Sequence, residues 1–133
     1  MSADVITRLL HAIDAMDWVA ARDCLADEVV TDYTSLWGGE PATVPIDDLI
    51  AGWTQIISGF DATQHLTGPV IEVDGAWHTH VRAHHWLGGE AWTVFGHYIA
   101  TVAGGRITAL TLRTLQQEGN RDLPNIARRT PVR

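Results

Sequence analysis

The 133-residue sequence predicts an α+β fold, in which N-terminal helices cover a curved antiparallel sheet shaped like a cone. Apolar residues recur at helical spacing in the first sixty positions. The second half instead holds three two-residue turn signals, each lying between runs rich in β-branched and aromatic residues. The concave side of such a sheet encloses a pocket when helices cover it.

Three helices are predicted in the first half. Apolar positions at helical spacing predict the first over residues 3–16. Asp17 caps a second, short helix from Trp18 to Leu25. The third begins near Pro45, because proline suits a first helical turn. Its apolar face comprises Leu49, Trp53, Ile56, Ile57 and Phe60.

A first strand is predicted at residues 29–35, which are rich in β-branched and aromatic side chains. Asp74-Gly75, Gly88-Gly89 and Gly104-Gly105 then mark turns between four antiparallel strands. These strands cover residues 63–73, 76–87, 90–103 and 106–118. Strands of this length span roughly 40 Å at ~3.3 Å per residue, so the sheet must twist and curve.

Length and composition favour one domain over residues 1–133, with a core at about 3–122 and a solubilising tail at 123–133. The hydrophobic content of 46% argues against disorder. The net charge of −7 argues against a nucleic-acid partner, because no basic stripe is present to meet phosphates.

The sequence also limits the compartment and the cofactors. The sequence shows neither a signal-peptide pattern nor an apolar run long enough to span a bilayer, so no membrane partner is predicted. Cys24, the single cysteine, fits a reducing cytoplasm, so we expect a cytoplasmic protein. No phosphate loop, dinucleotide fingerprint or nucleophile elbow is visible, and no cofactor is predicted. His78 and His80 share a strand face without a clear third ligand, so no metal is predicted.

The candidate chemistry depends on an acid, a tyrosine and histidines. Asp14 lies at the edge of the apolar face of the first helix, Tyr33 on the first strand and His65 at the start of a later strand. An aspartate bonded to one imidazole nitrogen fixes the tautomer and leaves the other nitrogen to accept a proton. A tyrosine hydroxyl can stabilise an enolate oxygen. Taken singly, each residue is more often structural, and His65 alone would be an ordinary hydrogen-bonded core histidine.

Strand register decides which histidine of the pair His84-His85 joins this group. Pairing across Gly88-Gly89 places His85 and Ala83 opposite Trp92 and Val94, on a small apolar face typical of a pocket wall. Simple pairing across Asp74-Gly75 sets His65 opposite His84, but a bulge near Gly68-Pro69 would return His65 to the His85 face. We therefore select His85 and keep His84 open. The residues expected to contact a substrate are Trp53, Ala83, Trp92 and Tyr98.

The opposite face of the sheet is predicted to form a homodimer interface. It is assigned Phe95, Ile99, Leu110 and Leu112. An uncovered apolar patch of this kind usually marks an interface.

Four stretches resemble the nuclear transport factor 2-like superfamily, and more narrowly its SnoaL-like (polyketide cyclase) and scytalone dehydratase-like members. They are residues 12–18, 32–36, 63–65 and 115–121, and the resemblance covers about Val5 to Asp122. It implies that Asp14 pairs with His65, that Tyr33 is a catalytic tyrosine, and that His84 or His85 is a second catalytic histidine. Ile13 replaces the tyrosine that precedes the aspartate in the dehydratase.

The resulting prediction is a cofactor-free acid–base enzyme of the lyase or isomerase type, acting on a small apolar carbonyl or hydroxyl compound. Dehydration, isomerisation and aldol-type cyclisation need the same proton transfers. The alternative is a non-catalytic ligand-binding or assembly module of the same fold.

Overall fold

A computed structural model describes residues 4–130. The helices are α1 (Asp4–Asp14), α2 (Trp18–Asp23), α3 (Thr34–Trp37), α4 (Ile46–Ile57) and α5 (Leu123–Arg129). The strands are β1 (Leu25–Asp32), β2 (Ala42–Pro45), β3 (Ala62–Thr67), β4 (Ile71–Val73), β5 (Ala76–Leu87), β6 (Glu90–Ala103) and β7 (Arg106–Gly119). Within residues 4–130, no helix is long and apolar enough to cross a membrane.

The strands form one seven-stranded sheet in the order β2-β1-β7-β6-β5-β3, with β4 also paired to β5. The predicted α+β class is confirmed, but the sheet is mixed rather than wholly antiparallel. Strand β1 runs parallel to β7, although every other pair is antiparallel. Parallel neighbours need a long connection, and here it is the whole chain between β1 and β7.

The predicted glycine turns are present, and the sheet bends between them. Asp74 and Gly75 both have positive φ, as a tight two-residue hairpin turn requires. The β6–β7 ladder shifts register between Phe95 and Gly96 and again between Thr101 and Val102. A Cβ on Gly96 would lie 2.8 Å from the Arg113 carbonyl oxygen. Glycine therefore permits the close approach at the first bulge, where the long strands curve.

The second register shift moves two residues that were predicted on the outer face of the sheet to its inner face. Leu110 pairs with Ala100 and Leu112 with Tyr98, so both leucines point inward, and they are 2% and 5% exposed. Without this shift both leucines would point outward. A slip of one residue moves a whole run of side chains to the other face.

The first half also departs from the predicted boundaries. Tyr33 does not lie on a strand, because β1 ends at Asp32. The Asp32 carboxylate accepts hydrogen bonds from the Thr34 amide and hydroxyl, at 3.1 and 2.7 Å, which turns the chain into α3. Pro45 lies just before α4 rather than within its first turn, and the edge strand β2 was not predicted.

The expected C-terminal tail contains a packed helix. Leu123 and Ala127 of α5 are buried at 1% and 0% exposure. A Cβ on Gly59, just after α4, would lie 1.9 Å from the Ala127 carbonyl oxygen, so only glycine admits α5 this closely. The helix is thus part of the domain core.

Helix α1 closes the concave side of the sheet. Its amphipathic spacing buries one face, made of Val5, Ile6, Leu9, Leu10, Ala12 and Ile13. Asp14 is the last residue of this helix and is only partly exposed. The packing of α1 therefore carries a carboxylate to the edge of the interior.

Candidate functional site

A small cavity of about 90 Å³, open to solvent at its mouth, lies between the helices and the concave face of the sheet. Its walls are mostly apolar and aromatic, and histidine and tyrosine supply the titratable groups. The lining residues are Ile13, Tyr33, Leu36, Trp37, Trp53, Ile56, Ile57, His65, Ala83, His85, Trp92, Val94, Tyr98 and Leu112.

Asp14 and His65 meet at one wall of the cavity. Oδ1 of Asp14 lies 2.7 Å from Nδ1 of His65, within the hydrogen-bond range expected from the sequence. The His65 side chain is 7% exposed and that of Asp14 is 20% exposed. A carboxylate accepts, so Nδ1 carries the hydrogen and a neutral His65 keeps the lone pair on Nε2.

Two further donors hold the Asp14 carboxylate. The Thr63 hydroxyl donates to Oδ1 at 2.8 Å, and the His65 backbone amide donates to Oδ2 at 2.7 Å. Burial alone would raise the pKa of Asp14. Hydrogen bonds and attraction from His65, with the Thr63 bond, outweigh burial and lower the pKa below 3.8. Asp14 is therefore an ionised, fixed partner for the imidazole at neutral pH.

His85, not His84, faces the cavity. Strand β3 pairs with β5 so that His65 lies opposite Ala83, and Thr63 lies opposite His85. The interruption between β3 and β4 at residues 68–70 supplies the predicted one-residue shift. The His65 and His85 ring centres are 6.1 Å apart. His84 lies on the outer face, where its Nδ1 is 3.0 Å from the Thr93 hydroxyl.

The surroundings of His85 determine which ring nitrogen carries the hydrogen and whether the ring is charged. Nδ1 lies 3.0 Å from the Trp92 carbonyl oxygen, which can only accept, so Nδ1 donates. Burial lowers the pKa of His85 from 6.5 to about 4, against a smaller opposing effect of this hydrogen bond. At neutral pH His85 is uncharged, and its Nε2 is a second lone-pair nitrogen at the cavity.

Tyr33 and Tyr98 lie side by side at the cavity wall. Their ring centres are 6.4 Å apart, in an edge-to-face arrangement. Burial raises the pKa of both hydroxyls, so both stay protonated. Each protonated hydroxyl carries a hydrogen that it can donate to a ligand or water.

The residues expected to contact a substrate all line this cavity: Trp53, Ala83, Trp92 and Tyr98. Trp92 is fixed by a 2.9 Å bond from its Nε1 to Gln117. Sequence reasoning missed Thr63 and Trp37. The alternation of β3 would have placed Thr63 beside His65, because positions i and i+2 share a face.

A histidine cluster lies on the outer face of the sheet, away from the cavity. Nδ1 of His78 is 2.9 Å from Nε2 of His97, and the His80 and His97 ring centres are 5.2 Å apart. Over residues 4–130, no three histidine, cysteine or acidic side chains are arranged to hold a metal ion. The cluster therefore gives no basis for a metal centre.

Comparison with family models matches residues 3–110 to the SnoaL-like domain. A search of curated proteins found no match. Among solved structures, the Kfla4162 protein of Kribbella flavida shares 27% identity and a TM-score of 0.81, covering 93% of this chain and 94% of its own.

Two more distant structures share the fold. An NTF2-like protein of unknown function from Exiguobacterium has 16% identity and a TM-score of 0.71, over 84% of this chain and 98% of its own. A candidate scytalone dehydratase from Novosphingobium aromaticivorans has 15% identity and a TM-score of 0.72, over 87% and 83%. The predicted resemblance to SnoaL-like proteins is thereby confirmed.

Proposed function

The chain belongs to the SnoaL-like domain family, and from this premise we propose that it is a cofactor-independent acid–base enzyme of the lyase or isomerase type. Its substrate is a small, largely apolar compound with a carbonyl or hydroxyl group. The observation that carries the proposal is the 2.7 Å contact between Asp14 and a His65 ring that lines an apolar cavity.

His65 is the proton-transfer group. Its Nε2 lone pair takes a proton from the carbon next to a substrate carbonyl, and the C–H electrons move to the carbonyl oxygen as an enolate. Asp14, ionised and fixed by three hydrogen bonds, stabilises the imidazolium that forms. The hydroxyl of Tyr33 donates its hydrogen to the enolate oxygen.

The fate of the proton defines the reaction. With a hydroxyl on the β-carbon, His65 returns the proton to that oxygen, the C–O bond breaks, and water leaves as the C=C bond forms. Return to a different carbon isomerises a double bond instead. His85 accepts a hydrogen bond from the substrate hydroxyl through Nε2, because it is neutral at the working pH.

A plain binding module is the alternative, since this fold alone does not dictate catalysis. Two observations favour the enzyme. A binding pocket for apolar ligands has no need of a partly buried carboxylate behind its wall, yet Asp14 is held against His65 by three donors. His65 is also only 7% exposed and lines the cavity, whereas a merely solubilising histidine would face water.

The test is turnover by variants on a panel of β-hydroxy ketones, beginning with 3-hydroxycyclohexanone, whose dehydration gives an absorbing enone. His65→Gln should fold and lose about 10²-fold or more in kcat. Asp14→Asn should keep affinity and lose kcat, and Tyr33→Phe should lose less. His84→Gln, on the outer face, is the matched control. If the variants bind ligand normally and wild type turns over nothing, the binding module stands.

We also propose that two copies of the chain pair through the outer face of the sheet. After the correction at Leu110 and Leu112, this face still exposes Leu66 at 45% and Leu115 at 68%. Both line an outer groove together with Phe95. A second copy is the occupant to expect, because the same patch on both partners gives a closed, self-complementary contact.

A further inference from the structure

The C-terminal helix reaches the mouth of the cavity through one side chain. The backbone of Ala127 in α5 packs directly against Gly59. This contact fixes the backbone of Arg128, the residue after Ala127. The guanidinium carbon of Arg128 lies 5.9 Å from the centre of the Trp37 ring. A guanidinium over an indole face at this distance is a favourable cation–π contact.

Trp37 is the residue at the boundary between cavity and solvent. It lines the cavity, yet it is 48% exposed. Its ring centre is 5.9 Å from that of Trp92, which is 2% exposed and fixed by Gln117. The indole thus lies between a rigid inner tryptophan and an arginine from α5.

The backbone beneath Trp37 is held independently of Arg128. Ser35 of the same short helix donates to the Leu112 carbonyl at 2.8 Å and accepts from the Thr114 amide at 2.8 Å. These bonds pin α3 to β7. Loss of Arg128 should therefore release the indole ring without undoing the helix that carries it.

We propose that Arg128 is a positioning residue that holds Trp37 as the outer wall of the cavity and so sets how long a ligand is retained. This rests on the cavity being the ligand site proposed above, but it does not depend on turnover. Arginine suits the role because its planar guanidinium stacks on an indole, whereas a lysine ammonium is a compact, strongly hydrated charge.

Retention is measured with 2-naphthol, an uncharged aromatic alcohol at neutral pH, by stopped-flow dissociation from the full chain. Arg128→Gln should raise the dissociation rate about two- to fivefold, the scale of an exposed cation–π contact. Arg128→Lys should fall between Arg128→Gln and wild type. Trp37→Ala should raise the rate further. Arg129→Gln removes an exposed arginine from the same helix and should leave the rate unchanged.

A second readout needs no ligand. With 5-fluorotryptophan in all six positions, the Trp37 fluorine resonance is identified by its loss in Trp37→Phe. Arg128→Gln should shift this resonance, and Arg129→Gln should not. Equal behaviour of the two arginine variants in both readouts overturns the inference and leaves the proposed chemistry intact. If 2-naphthol moves none of the six resonances, the cavity is not a site for such ligands, and the retention claim falls with it.

Discussion

The buried, neutral His85 predicts a specific loss of stability in mild acid. In the folded protein burial lowers its pKa from 6.5 to about 4, so it stays uncharged until the pH approaches 4. In the unfolded chain its pKa is about 6.5, so it gains its proton as the pH falls through that value. Between these values the unfolded state binds more protons, so the free energy of unfolding falls as the pH falls. The loss due to this residue is about 2 kcal/mol between pH 7.5 and 5, and roughly 3 kcal/mol by pH 4.

The measurement is urea unfolding of wild type and His85→Gln at several pH values in this range. Glutamine keeps a donor for the Trp92 carbonyl but has no proton to gain. The free energy of unfolding of His85→Gln, measured relative to wild type, should therefore rise by about 2 kcal/mol as the pH drops from 7.5 to 5. His84→Gln is the control and should change the pH slope far less, because His84 has the smallest effect among the charged groups that act on His85. A wild-type-minus-His85→Gln difference that stays constant with pH would refute the assignment of a buried neutral imidazole.

Two further predictions concern the carboxylate and the outer face. Thr63→Val should lower the free energy of unfolding by about 1–3 kcal/mol, since it removes a donor to a charged group, while Thr63→Ser should restore it; equal urea curves would contradict this. In sedimentation at micromolar concentration wild type should run as a dimer, and Leu115→Glu should shift it to monomer. Val19→Glu, at an exposed position on α2, should not; a monomeric wild type would end the dimer proposal.

The sequence was most informative where structure depends on neighbouring residues. The glycine turns are local signals, and they led directly to the β5–β6 pairing that sets His85 opposite Trp92. The break near Gly68 also leaves a local mark, since proline follows it, and it brings His65 to the His85 face. These two features were enough to place both histidines on one cavity wall.

What the sequence missed depends on distant partners. The parallel pairing of β1 with β7 joins residues about eighty positions apart, and alternation within either strand cannot reveal it. The bulge between Thr101 and Val102 has no proline to mark it, so Leu110 and Leu112 were assigned to the wrong face. The close seat of α5 on Gly59 is likewise visible only once α4 is in place.

The Asp14–His65 proton-transfer claim is tested most directly by solvent deuterium incorporation. Cyclohexanone in D₂O has exchangeable protons only beside its carbonyl, and their loss is followed by proton NMR with no need for the natural substrate. Wild type and His84→Gln should catalyse this exchange, and His65→Gln should be slower by about 10²-fold or more. Exchange at the same rate in His65→Gln as in wild type would contradict the claim.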